Sequence, residues 1–234
     1  MKKIILSLIV LNFVLVHCQD KKNSSNKFPN NTNTQYSNNK NNSSLVIKKD
    51  LDLIDIQFGK NIEAFLSGTD LLPIINEWST NMDYEEYTFP KSKKVNVLIA
   101  GNLIDFNTSD VKILYFKESK KIWFCDIELF NNSNSTQIIT DIKAKLNSKP
   151  SFYNKSINTP EHPITVDENG EPETDHIEKI IQVLKNKSNT ATYFIIEENN
   201  ITKNEKKLRI LMLDRNSSKY KEYLDGLSSW GYKE

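Results

Sequence analysis

Val111-Lys112-Ile113-Leu114-Tyr115-Phe116 and Ile122-Trp123-Phe124-Cys125-Asp126-Ile127-Glu128-Leu129-Phe130 flank the charged stretch Lys117-Glu118-Ser119-Lys120-Lys121. Both runs are rich in β-branched and aromatic residues. They predict two antiparallel strands joined at a charged tip. Cys125 alternates with Trp123, Ile127 and Leu129, so it is expected to be a small buried hydrophobe rather than a nucleophile.

The same patterns extend outward from this hairpin. Residues 84–89 and 95–106 read as strands, as do 192–197 and 208–213, with a polar loop over 198–207. Leu71, Ile74, Ile75 and Trp78 recur at i, i+3, i+4 and i+7, predicting a helix over 70–79. A short helix is expected over 61–67, ended by Gly68. Ile138, Ile139, Ile142 and Leu146 share one face of a predicted helix over 135–146, stopped by Asn147 and Pro150. Ile177, Ile180, Ile181 and Leu184 follow the acid-bearing start Asp175-His176-Ile177-Glu178 and predict a further helix. Four prolines and the Asn169-Gly170 turn mark residues 148–174 as a loop with room for a small hairpin. A last helix carries Tyr220, Tyr223, Leu224 and Leu227. The order of elements implies an α+β fold: a single domain over 45–234 with a mainly antiparallel sheet of meander hairpins and helices packed on one face.

The 234 residues are 38% apolar and carry 31 basic against 30 acidic side chains, a net charge of +1. That balance gives no basic footprint for nucleic acid. Six glycines leave little material for phosphate-cradling loops.

The N-terminus is of a different kind. Lys2 and Lys3 precede an apolar run from Ile4 to Val16. Thirteen residues at ~1.5 Å each span roughly 20 Å, too short for a ~30 Å hydrocarbon core. The run reads as a secretory signal. It ends in Leu15-Val16-His17-Cys18, which resembles the lipobox of bacterial lipoproteins. Leu15, Val16 and Cys18 match that pattern, and His17 stands where Gly, Ala or Ser is usual. The resemblance covers about the first 20 residues. It implies a signal peptide over 1–17, cleavage before Cys18 and acylation of the Cys18 thiol. Residues 19–44 hold nine Asn and only two apolar side chains, Phe28 and Tyr36. Such a stretch cannot offset the entropy of ordering, and as a flexible coil it would reach roughly 25–30 Å. Cys18-Gln19-Asp20-Lys21-Lys22, followed by this Asn-rich usage, is similar to lipoproteins of the Bacteroidota. The implied place is the cell envelope, anchored by lipid to the outer membrane on its periplasmic or surface side.

No catalytic motif emerges from the folded part. Ser67-Gly68 lacks the preceding glycine of a nucleophile elbow. The Ser-x-x-Lys at Ser218–Lys221 lacks the elements that accompany it in penicillin-recognising enzymes. No Cys-x-x-Cys or His-x-x-x-His spacing marks a zinc site, and no cofactor is implied. The densest acidic stretch is Asp167, Glu168, Glu171, Glu173 and Asp175, flanked by His162 and His176. His162, Asp167, Glu171 and His176 are the candidate cation ligands, although the spacing lacks a closing Glu on a following helix. The leading expectation is therefore a lipid-anchored, non-catalytic binding domain with the membrane and a protein as partners. An envelope hydrolase using carboxylates and His of the 160–176 loop is one alternative. An immunity or inhibitor lipoprotein is another.

Overall fold

The computed structural model describes residues 49–71, 82–89, 95–159 and 174–234. The chain divides into Met1–Ser44 and Leu45–Glu234, and the second unit carries the described strands and helices.

Strands β1 (Lys49–Asp52), β3 (Val95–Ile99) and β4 (Asn102–Leu103) form a three-stranded sheet. A seven-stranded antiparallel sheet contains β2 (Tyr84–Thr88), β5 (Ser109–Phe116), β6 (Ile122–Phe130), β7 (Phe152–Asn158), β8 (Ile177–Lys185), β9 (Ala191–Asn200) and β10 (Glu205–Asp214), in the order β2-β5-β6-β10-β9-β8-β7. Among the described residues three α-helices accompany them: α1 (Ile62–Leu66), α2 (Ser135–Leu146) and α3 (Tyr220–Gly226). β5 and β6 are the predicted hairpin, and β7 to β10 form an unbroken meander. Successive antiparallel pairings leave β6 and β7 running the same way. The chain must therefore return along the sheet between them, and α2 makes that crossover.

α2 occupies the span its periodicity predicts and buries Ile138, Ile139, Ile142 and Leu146. Asn147 ends it in the left-handed conformation (φ 46°), which Asn tolerates better than most residues. These apolar side chains share a core with Leu208, Ile210 and Met212 of β10, whereas Leu211 and Leu213 join Tyr220 of α3 in a second core. Alternate residues of one strand point to opposite faces. The helices therefore cover both faces of the large sheet, and the expectation that they pack on one face is corrected. The cause is β10 itself: it is apolar at successive positions, so each face requires its own cover.

Two carboxylates tie the three-stranded sheet to α2: Asp141 of the helix accepts from Asn102 Nδ2 of β4 (3.0 Å), and Asp52 gathers several donors. Asp52 accepts hydrogen bonds from the backbone N–H groups of Ile54 (3.1 Å), Ala100 (2.9 Å) and Gly101 (2.8 Å) and from Lys145 Nζ (2.9 Å). Burial raises its pKa, but Lys145 and the backbone donors outweigh this and hold it below the ordinary value. Gly101 turns the β3–β4 hairpin at φ 84°, a conformation open to glycine at no steric cost.

Sequence and structure part at four other places. Residues 177–185 are the strand β8, not a helix. Residues 152–158 are the strand β7, within the stretch read as loop. The strand read over 95–106 is broken into β3 and β4 by the turn at Ala100 and Gly101. The β9 and β10 strands extend to Asn200 and from Glu205, shortening the polar loop between them. The helix expected over 70–79 lies mostly outside the described residues.

Cys125 is fully buried, as its alternation predicts, and burial pushes its thiol pKa well up. Beside it, Leu114 pairs with Phe124 and Tyr115 with Ile122, so Trp123 is an extra residue in β6. This bulge brings Trp123 and Phe124 together into the α3-side core. That core is aromatic: Tyr84 lies 5.7 Å from Trp123, Tyr223 4.8 Å from Phe124 and Tyr232 5.3 Å from Phe194 between ring centroids.

Candidate functional site

Strand register arranges the α2 side of β7, β8, β9 and β10 in three rows. Tyr153, Gln182, Ile195 and Ile210 form the first; Lys155, Ile180, Glu197 and Leu208 the second; Ile157, Glu178, Asn199 and Lys206 the third. Burial rises along each of the first two rows from β7 to β10. Tyr153 is 59% exposed at one end of the first row and Ile210 0% at the other. The covering layer stops partway across the sheet, so β7 and the adjacent part of β8 are open on this side.

Where cover gives way to open sheet lies a groove of about 700 Å³. Its floor is Glu178, Ile180, Glu197, Asn199 and Leu208, and its wall includes Ser135 and Thr136 in the first turn of α2. The Asn132 side chain accepts from Asn134 N (2.7 Å), and Ser135 Oγ donates to the Asn132 carbonyl (2.8 Å), which fixes how the helix enters the wall. Asn134, at the helix cap, makes no side-chain capping bond, and the first turn carries no acid.

The carboxylates of the groove are unevenly satisfied. Glu197 accepts one bond from Gln182 Nε2 at 3.2 Å. The side chain of Glu178, half-buried on the neighbouring strand, makes no hydrogen bond or ion pair among the described residues. Lys179 (3.1 Å) and Lys207 (3.9 Å) pair instead with Glu198, whose alternate position in β9 puts it on the opposite side of the sheet. Side-chain amides, hydroxyls and two carboxylates beside Ile180 and Leu208 can hold a polar ligand that carries donors and an apolar part.

Of the predicted cation ligands, His162, Asp167 and Glu171 lie outside the described residues. His176 lies at the groove's own end of its strands, two residues before Glu178, but it is not among the residues that line the groove. Its backbone N–H donates to Thr202 Oγ1 (2.8 Å), and its carbonyl accepts from Ile201 N (2.8 Å). Asp175 beside it accepts from Asn200 Nδ2 (2.8 Å) and pairs with Lys203, which lowers its pKa. These contacts pin the start of β8 to the β9–β10 turn. Among the described residues no three His, Cys, Asp or Glu side chains are grouped to hold a metal ion. Also among the described residues, no helix is long and apolar enough to cross a membrane.

Sequence reasoning missed Glu178, Glu197 and the Asn131–Ser133 stretch. Glu178 falls in the segment read as helix, and Glu197 at the end of one read as strand. Only the register of β8 against β9 makes them neighbours. Comparison with protein families, with curated proteins and with solved structures finds no match for this chain.

Proposed function

We propose that the chain is an exported envelope protein, anchored by lipid at Cys18, whose folded domain binds a partner through the open part of the α2 side of its sheet. The groove with the half-buried, unpaired Glu178 carries the binding reading, because such a carboxylate gains most when a ligand brings it a donor. The anchor rests on Leu15-Val16-His17-Cys18 and on the Asn-rich residues 19–44 beyond it. A coil of that length lets a domain search roughly 25–30 Å from its anchoring membrane.

Growth with a labelled fatty acid tests the anchor: the wild-type chain takes label, and Cys18→Ala takes none. Equal label on both, or label on neither, overturns it. The binding face is tested separately in the envelope by a photo-crosslinking residue placed at Asn199 in the groove or at Glu118 in the β5–β6 tip. A discrete adduct from Asn199 alone supports the reading, and equal adducts from both positions defeat it.

A further inference from the structure

We propose that the outer edge of β7 is a strand-addition site for an extended segment of another protein that alternates apolar, acidic and apolar residues. The proposal deepens the binding reading and does not depend on lipidation. β7 is the last strand of the seven-stranded sheet, and among the described residues no strand pairs with its outer side. From Phe152 to Ile157 one row of backbone N–H and C=O groups faces outward, over roughly 20 Å at ~3.3 Å per residue. A sheet edge of this kind is a template for another strand.

The two faces of β7 are treated differently. On the α3 side Phe152 packs edge-on against Tyr232 at 5.4 Å, and Asn154 Nδ2 donates to the Trp230 carbonyl at 3.2 Å. These contacts hold the strand in place before anything docks, which lowers the ordering cost of binding. On the α2 side Tyr153 and Ile157 remain 59% and 45% exposed, with Lys155 between them. The Lys155 side chain is exposed and makes no hydrogen bond or ion pair among the described residues.

That lysine selects the occupant. In the antiparallel pairing of two copies that sets each Tyr153 against Ile157 of the other, Lys155 faces Lys155, and directly opposed like charges destabilise a sheet. A partner strand with Asp or Glu at that position turns the repulsion into attraction, and apolar residues two positions to either side then cover Tyr153 and Ile157. The incoming strand also lies beside the row of Lys155, Ile180 and Glu197, extending the surface that borders the groove.

The full chain is titrated with a capped synthetic peptide, Thr-Val-Thr-Asp-Thr-Val-Thr, and amide hydrogen exchange is read in 152–157 and, as an internal control, in 84–88. Exchange in 152–157 is expected to slow with saturation while 84–88 is unchanged. Lys155→Glu should bind this peptide about tenfold more weakly and prefer the version with Lys in place of Asp. The variant is expected to fold normally, since Lys155 is exposed and holds no partner within the described domain. Unchanged exchange at millimolar peptide overturns the proposal, as does identical binding of both peptides by wild type and Lys155→Glu. Slowing that depends on protein concentration without peptide assigns the edge to a second copy and also overturns it. Loss of the Asn199 adduct with intact peptide binding would sink the groove reading alone.

Discussion

The two edge strands of the large sheet are built on opposite principles. β2 has five residues, and its α2 side is buried. Tyr87 is completely covered and packs edge-on with Phe89 at 4.9 Å, while Glu85, 8% exposed, pairs with Lys120 at 2.9 Å. Lys120 also lies 5.4 Å from the centre of the Tyr115 ring. A charge turned inward at an edge satisfies itself within the fold and is costly to bury under a second chain. β7 has seven residues and presents Tyr153, Lys155 and Ile157 to solvent on the same side of the same sheet. One edge is closed by the core it covers. The other owes its stability to β8 and the C-terminal segment, and its exposed side chains are free to serve binding.

This contrast is broken most severely at Tyr87. Tyr87→Ala is expected to cost about 3–5 kcal/mol in urea unfolding, the range for removing a buried aromatic side chain. Lys120→Ala leaves Glu85 buried with only the Tyr115 hydroxyl as a side-chain partner, and should cost about 1–3 kcal/mol in the same measurement.

Acid should expose the same pair. Burial raises the Glu85 pKa, but the hydrogen bonds from Lys120 and Tyr115 outweigh it, so the folded value lies below the ordinary 4.5. The unfolded chain thus binds the proton more readily. The stability Glu85 contributes is complete above pH 4.5 and disappears as pH falls through the lowered folded value. Glu85→Gln should flatten that part of the acid limb when urea midpoints are compared near neutrality and in acid. An unchanged limb would show that the pair is not coupled to folding.

Smaller effects sharpen the comparison. The Tyr87 hydroxyl is buried without a hydrogen-bond partner, and burial with the nearby Asp70 charge pushes its pKa up to about 12. Tyr87→Phe removes that unsatisfied group while keeping the ring, and is expected to raise stability by about 1 kcal/mol. Tyr153→Ala on the open edge should stay within about 0.5 kcal/mol of wild type by chemical denaturation. A large loss there would mean that β7 is held by its exposed side chains after all.

The most local patterns carried over into the structure almost unchanged. α2 follows from four apolar residues at helical spacing and a left-handed Asn at its end, and the β5–β6 hairpin follows from two β-rich runs around a charged tip. Both depend on residues within one or two turns of one another. β8 shows where this stops. Ile177, Ile180, Ile181 and Leu184 satisfy a helical period, yet the segment lies between β7 and β9 with Ile181 and Val183 in one core and Leu184 in the other. A strand buried on both faces becomes a continuous apolar run, and such a run has no period to distinguish it from a buried helix.

The sequence by itself thus determined the unlike character of residues 1–44, the sheet-rich nature of the rest, the α2 helix and the buried place of Cys125. Tertiary structure alone decided which faces are covered and which edge is open. It also decided that Glu178 and Glu197, read in two separate elements, share one groove. Register is the reason: hydrogen bonds between strands distant in the chain set which side chains are neighbours, and no local window of residues contains that information.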